Sequence, residues 1–232
     1  MSDAKTPAPG RTAALLRRAV TTEGAMWRSM YLWARRAPLP LAPGDEPFGY
    51  VGVVKPILGV FIGLSAVEIP IFDVIVSNVV PWQPARWIVL VLGVWGLLWM
   101  IGFFASLRIH PHVIGDAGIR VRMGAGLDVT VPWDNVDTVG KSYRSMPSSR
   151  SVQVEQAGDR SVLHIVVGSQ TSVDVRLRRP TTFVLPKGRT EPVDEVRLYA
   201  DDPDDFVRKA RSVSAPRTAA TPGRVGASHT NR

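Results

Sequence analysis

The sequence predicts an α+β membrane protein: a two-helix transmembrane hairpin, then a cytoplasmic antiparallel β domain capped by a C-terminal helix. Three observations lead there. The run WIVLVLGVWGLLWMIGFFASL, Trp87 to Leu107, contains no charge. Beyond it the apolar pattern turns from continuous to alternating. Near the end, DDPDDFVRKARSV carries the signals of one helix and is followed by a tail that cannot bury a core.

These signals divide the 232 residues into four segments. Residues 1–50 read as a cytoplasmic tail, 51–107 as the hairpin, 108–213 as the β domain with its helix, and 214–232 as a disordered basic tail. The net charge of +8 resolves by position into +3 over residues 1–50, −1 over 51–206 and +6 over 207–232. A basic tail suits phosphates of either nucleic acid or lipid. Membrane segments adjoin these tails and no nucleic-acid motif accompanies them, so lipid is the expected partner and nucleic acid is not. The chain has no cysteine, which removes disulfides, thiol catalysis and cysteine-ligated metals. Only five of its 28 cationic residues are lysines, a bias that often accompanies GC-rich coding and hints at a bacterial source.

In the first segment, Leu15, Leu16, Ala19, Val20, Met26, Trp27, Met30 and Trp33 recur at mostly three- and four-residue steps, with Arg17, Arg28 and Arg35 on another face. An amphipathic helix from Arg11 to Arg36 is expected to lie among lipid headgroups, its surface contacts made by Arg17, Arg28, Arg35, Arg36, Trp27 and Trp33. The alternative is packing on the cytoplasmic domain. PLPLAPGDEP, Pro38 to Pro47, reads as a stiff connector.

Trp87 to Leu107 is long enough to cross the hydrocarbon core, which takes about 20 residues. Residues 55–80 form the other expected span, although Glu68, Pro70 and Asp73 interrupt it. SNVVPWQPAR, with Pro81 and Pro84, reads as the turn between them, and Trp82 and Trp87 as interface anchors. Gly59 and Gly63 form a GxxxG spacing expected to admit the second helix closely, while Trp95 and Trp99 are expected to form a packing face. Arg35, Arg36 and Lys55 precede the spans, Arg108, Arg120 and Arg122 follow, and only Arg86 lies between. Both termini are therefore expected in the cytoplasm, with the chain multi-pass in the cytoplasmic membrane. No signal peptide is expected, because the first apolar segment comes late.

In the third segment Ile119, Val121 and Met123 alternate with Arg120 and Arg122, and Val129, Val131 and Trp133 continue the pattern. Gly115 to Gly118 and Gly124 to Gly126 read as turns. Val152–Gln156, Val162–Val167, Val173–Leu177, Thr182–Leu185 and Val193–Tyr199 are further strands, seven or eight in all, paired antiparallel. In the final helix, Asp201 to Val213, Asp202 is the N-cap and Pro203 opens the first turn. Phe206, Val207 and Ala210 supply an apolar side.

GIRVRMG followed by VPWDNVDTV resembles the opening of bacterial pleckstrin-homology-like domains. The matching positions are Arg122, Met123 and Gly124, then Val131 and Pro132, then Val136 and Val139. Over roughly residues 50–213 the arrangement also resembles bacterial integral membrane proteins with a hairpin before such a domain. The resemblance implies a partly open barrel capped by the C-terminal helix, and no conserved chemistry.

For chemistry, His110 and His112 form H-P-H past the second span and are expected at the membrane surface, without a local third metal ligand. His164 is expected to face solvent from its strand. Asp134 and Asp137 are candidate paired carboxylates, more simply solvated acids, and no Walker, Rossmann or nucleophile-elbow spacing is present. No cofactor or metal is expected. Glu68 and Asp73 stand out, since an acid at a span centre costs about 2.5 to 3.5 kcal/mol and calls for compensation. Five positions apart, they point about 140° from each other on a helix, which disfavours a two-carboxylate ion site. The expected function is a non-enzymatic interaction or scaffold module at the membrane, with membrane lipids and other membrane or envelope proteins as partners, homo-oligomerisation included. The alternative is a small ion- or proton-coupled transporter or channel subunit using Glu68 and Asp73.

Overall fold

A computed structural model describes residues 23–219, apart from residues 40, 81, 149 and 187. Residues 23–34 form a helix, α1. It ends in a Schellman turn: Ala37 N–H bonds the Leu32 carbonyl and Arg36 N–H that of Trp33, with Arg36 at φ 50°. Next come a short strand β1 (Glu46–Phe48) and two long helices, α2 (Lys55–Val79) and α3 (Gln83–Ile109). Each long helix has proline in its first turn, where a missing N–H costs nothing. Both are long and apolar enough to cross a membrane. Of their residues only Gly102, Ala105, Ser106 and Leu107, near the end of α3, are buried.

The two helices approach at Gly93, where an added Cβ would come within 3.1 Å of Ile69 Cγ1. Gly59 and Gly63 face open space instead, so the expected role of their GxxxG spacing is not met within the hairpin. The small residue that admits the neighbour is on α3 because Ile69, on the contacting face of α2, is large. Pro70 inside α2 leaves the Ala66 carbonyl without its helical donor.

Directly after α3 the chain forms β2 (His112–Gly115), β3 (Gly118–Met123) and β4 (Leu127–Val131). Together with β1 they make an antiparallel sheet in the order β1-β2-β3-β4. Phe48 pairs with His112 and Glu46 with Ile114, so the helical hairpin is inserted between two adjacent strands. The connector expected before the membrane thus contributes a strand. Gly118, at φ 142°, closes the β2–β3 turn, and a Cβ there would lie 2.1 Å from the Val131 carbonyl oxygen.

The second sheet holds β5 (Val136–Ser145), β6 (Val152–Ala157), β7 (Arg160–Ile165), β8 (Gln170–Thr181) and β11 (Val193–Leu198), in the order β5-β8-β11-β7-β6. A small ribbon, β9 (Val184–Leu185) with β10 (Gly188–Arg189), bridges β8 and β11 along the chain. Contrary to the all-antiparallel expectation, β11 lies parallel to β7. The chain reaches β11 only after β8 and the ribbon, and this crossover reverses its sense relative to a hairpin. None of the sheets closes into a barrel.

Between the sheets, Ile119, Val121, Val131, Leu163, Ile165, Val175 and Val196 form the core. It is closed by α4 (Pro203–Ala219), whose Phe206 and Ala210 are fully buried and whose Phe206 ring meets Phe48 edge-on at 5.1 Å. Asp202 caps α4 by accepting from Asp205 N–H at 2.9 Å. The helix runs to Ala219 rather than stopping at Val213, and residues 220–232 of the expected disordered tail lie outside the described residues.

Gly93→Leu is expected to lower the thermal stability of the full chain in detergent by about 1 to 3 kcal/mol through overpacking against Ile69. Gly59→Leu, facing open space, should leave it unchanged or raise it.

Candidate functional site

The distinctive geometry lies where the hairpin meets the β domain. Tyr50 and Val51, between β1 and α2, are buried with Leu107 of α3 and Val167, and Leu58, Phe104 and Met123 pack around them. This second small core belongs half to the helices and half to the sheets. Polar ties complete it. Asp201 N–H donates to the Gly49 carbonyl at 2.8 Å, and its carboxylate accepts from Gly52 N–H at 2.7 Å. The Tyr50 hydroxyl accepts from Gly124 N–H at 2.8 Å. Burial pushes that phenol up to about 12, against the opposing pull of the Gly124 N–H and the Arg122 charge.

His112 departs from its expected place at the membrane surface. It is fully buried, stacked on Tyr50 with ring centroids 4.6 Å apart. Its Nε2 donates to the Tyr199 carbonyl at 2.9 Å, because a carbonyl only accepts. Its Nδ1 accepts from Arg122 N–H at 3.1 Å. Acceptance at Nδ1 requires the neutral ring. Burial accordingly drops its pKa to about 4, with the Tyr199 bond opposing and Arg122 adding to the drop.

Within the hairpin, Asp73 is not left to water. Arg86 grips it with two parallel bonds of 2.7 Å, Nε to Oδ1 and Nη2 to Oδ2, joining α2 to α3 near their connecting turn. The two acids are therefore separated in role: Asp73 is spent on Arg86. Glu68 lies near the middle of α2, about 17 Å along the axis from Val79. It lines a groove of about 400 Å³ between the helices with Ser65, Phe72, Leu92 and Gly96. Among the described residues it has no hydrogen-bond or ion-pair partner.

α1 packs across the second half of α3 through Trp27 on Trp95 (5.2 Å), Trp33 on Phe104 (6.1 Å) and Met26 against Gly102. Trp99 stacks on Phe103 at 5.9 Å. Arg28, Arg35 and Arg36 are exposed, Arg35 lying 4.8 Å over the Tyr31 ring, while Arg17 lies outside the described residues. His110 donates Nδ1–H to the Ser106 carbonyl at 2.8 Å, closing the end of α3.

His164, expected to face solvent, is buried on the outer face of the second sheet, with Nε2 3.4 Å from Glu155 Oε2. Burial and then Arg197 hold its pKa below the ordinary histidine value. Arg197 bonds Glu195, and Arg144 bonds Asp174, each at 2.5 Å, making this face a ladder of paired charges. Asp134 lies exposed, 3.6 Å from Arg179, and Asp137 is exposed on β5. Sequence reasoning missed Arg86 as a partner and Tyr50 as a buried residue. The available signal for Arg86 was position, since Asp73 and Arg86 both lie within two helical turns of the link between α2 and α3.

For His112 the folded value lies below the unfolded value of 6.5, so its stabilising contribution is complete above pH 6.5 and is lost as pH falls toward 4. Denaturation of the full chain should show a loss of up to about 3 kcal/mol across that window that His112→Gln lacks, so the wild-type-minus-variant difference changes between pH 6.5 and 4 and is flat below. For the Asp73–Arg86 pair, Arg86→Gln alone should lower the melting temperature in nanodiscs more than Asp73→Asn with Arg86→Gln, since the double variant leaves no unpaired carboxylate. Comparison of the chain with protein-family models, with curated proteins and with solved structures gives no match.

Proposed function

We propose that the protein is a non-enzymatic interaction module that spans the bacterial cytoplasmic membrane twice and presents a pleckstrin-homology-like domain at the cytoplasmic face. The observation that carries this reading is the insertion of the hairpin between β1 and β2, with Tyr50, Leu107 and Val167 in one small core. A domain tied at both ends of a hairpin cannot swing as it would on a linker. It holds a fixed attitude to the bilayer, which is what a presenting scaffold requires. Two helices long and apolar enough to span support the anchoring, and the Lys/Arg asymmetry supports the orientation. The partner is another membrane or envelope protein, met by exposed apolar side chains on the domain such as Tyr143, Val154 and Val184.

A second reading, an ion- or proton-coupled transporter subunit, rests on Glu68 alone, an acid near the middle of a span, lining a groove without a partner. Asp73 does not support it, being held by Arg86.

Photo-crosslinkers placed at Tyr143, Val154 and Val184 in native membranes are expected to give a discrete adduct with one protein. Adducts at none of these positions, together with a proton or cation flux in vesicles that Glu68→Gln abolishes, would replace the scaffold with the transporter.

A further inference from the structure

The outer face of β3 carries an arginine pair that the junction does not use. Arg120 and Arg122 are two residues apart and share a side of the strand, opposite the core residues Ile119 and Val121. Arg120 is satisfied, gripping Asp128 through Nε at 2.7 Å and Nη2 at 2.5 Å. Arg122 is not. It is 8% exposed, its Nε has no hydrogen-bond partner among the described residues, and the nearest carboxylate oxygen, Asp128 Oδ2, is 3.8 Å away and already bonded to Arg120. A guanidinium nitrogen removed from water without a partner, as Nε is here, is costly, and burial together with the neighbouring Arg120 holds the pKa of Arg122 below the ordinary arginine value.

Arg122 borders a pocket of about 270 Å³. Arg28 of α1, Arg120, Asp128 and His110 complete its polar lining, and Leu32, Leu39 and Ile109 form an apolar side. Arg28 is exposed and has no carboxylate partner among the described residues. Three guanidinium groups thus meet one carboxylate, with Asp45 acting on Arg120 and Arg122 from outside the lining. The pocket also sits at a particular height. α3 is 27 residues long, about 40 Å, against a hydrocarbon core of about 30 Å, so its final turn at Ile109 emerges at headgroup level.

We propose that this pocket binds a phosphate group, with Arg122 as its buried anchor and Arg28 closing over it from α1. The inference rests on the membrane-anchored reading above, because only an inserted hairpin brings a lipid phosphate to this height. Arginine suits the task, since its planar fork meets two phosphate oxygens at once. The apolar side receives the glycerol end of a lipid, whereas a free phosphate uses the arginines alone. The site depends on α1, α3 and β3 together and is absent from the β domain taken by itself.

The test uses the full chain in nanodiscs of phosphatidylcholine mixed with phosphatidylglycerol, with lipid retained on the released protein read by native mass spectrometry. The wild type is expected to retain phosphatidylglycerol over phosphatidylcholine. Arg28→Gln, an exposed and unpaired position that leaves the fold undisturbed, should reduce that preference about fivefold, and Arg122→Gln at least as much. Arg108→Gln, which removes an exposed cation at the end of α3 outside the pocket, should change it less than about twofold. If no lipid preference is seen but inorganic phosphate at matched ionic strength raises the melting temperature of the wild type and not of Arg28→Gln, the site stands and its source is the soluble anion. Equal retention in wild type and Arg28→Gln, or equal loss in Arg28→Gln and Arg108→Gln, with no phosphate effect, would overturn the site while leaving the membrane anchor intact. A chain that does not enter nanodiscs would remove the anchor and the lipid as the source, and the site itself unless inorganic phosphate still raises the melting temperature of the wild type and not of Arg28→Gln.

Discussion

Two stacked rings, Tyr50 and His112, bring together the chain entering the hairpin, the chain leaving it, the strand after it and the end of β11. Each ring is buried, and each polar atom on them meets a backbone group, two at β3 and the turn after it and one at the end of β11. Neutral–neutral hydrogen bonds of this kind add little net stability each, about 1 kcal/mol, but leaving one unmade in a buried site costs more. The stack therefore acts as a constraint. Every element that touches it must be in place before any of its bonds is worth making.

That constraint explains why the hairpin and the β domain form one body. Without the small core around Tyr50, Leu107 and Val167, the helices would be joined to the sheets by β1–β2 pairing and a few polar ties. With it, the last turns of α3 are buried at Gly102, Ala105, Ser106 and Leu107, while α2, which has no buried residue, joins the core through the partly buried Leu58. Asp201 adds the last restraint from the far end of the chain, its carboxylate holding the backbone of Gly52 just ahead of α2. A residue 149 positions farther along the chain thus sets how the hairpin begins.

Some of this was legible in the residues. α3 announces itself by length without charge, and α4 by Asp202, Pro203 and the spacing of Phe206 and Ala210. The β2–β3 turn is visible because Gly118 must be glycine. Other elements have no local signature. β1 is three residues, one of them proline, and is a strand only because β2 pairs with it. β5 hides its alternation: its two buried residues, Val136 and Val139, are three apart because the ladder to β8 shifts register between them, and the rest of this edge strand is polar or exposed. His112 was misplaced because H-P-H looks polar, although the HVIG that it opens is a wholly buried strand. Glu68 was visible at once and Arg86 was not seen as Asp73's partner, because pairing across a helical turn depends on where two helices end rather than on the residues between.

The insertion of the helices between β1 and β2 also orders events in time. Phe48 leaves the ribosome long before His112, its partner 64 residues later, and nothing else in the first sheet pairs with β1. Joining ends so far apart through a flexible loop would carry a large closure entropy. Two antiparallel helices already side by side, held by Asp73 and Arg86 at one end and returning the chain at the other, remove most of it. The helical hairpin thereby serves as a template for the sheet, since it returns His112 to within pairing reach of Phe48 at the end of the second helix.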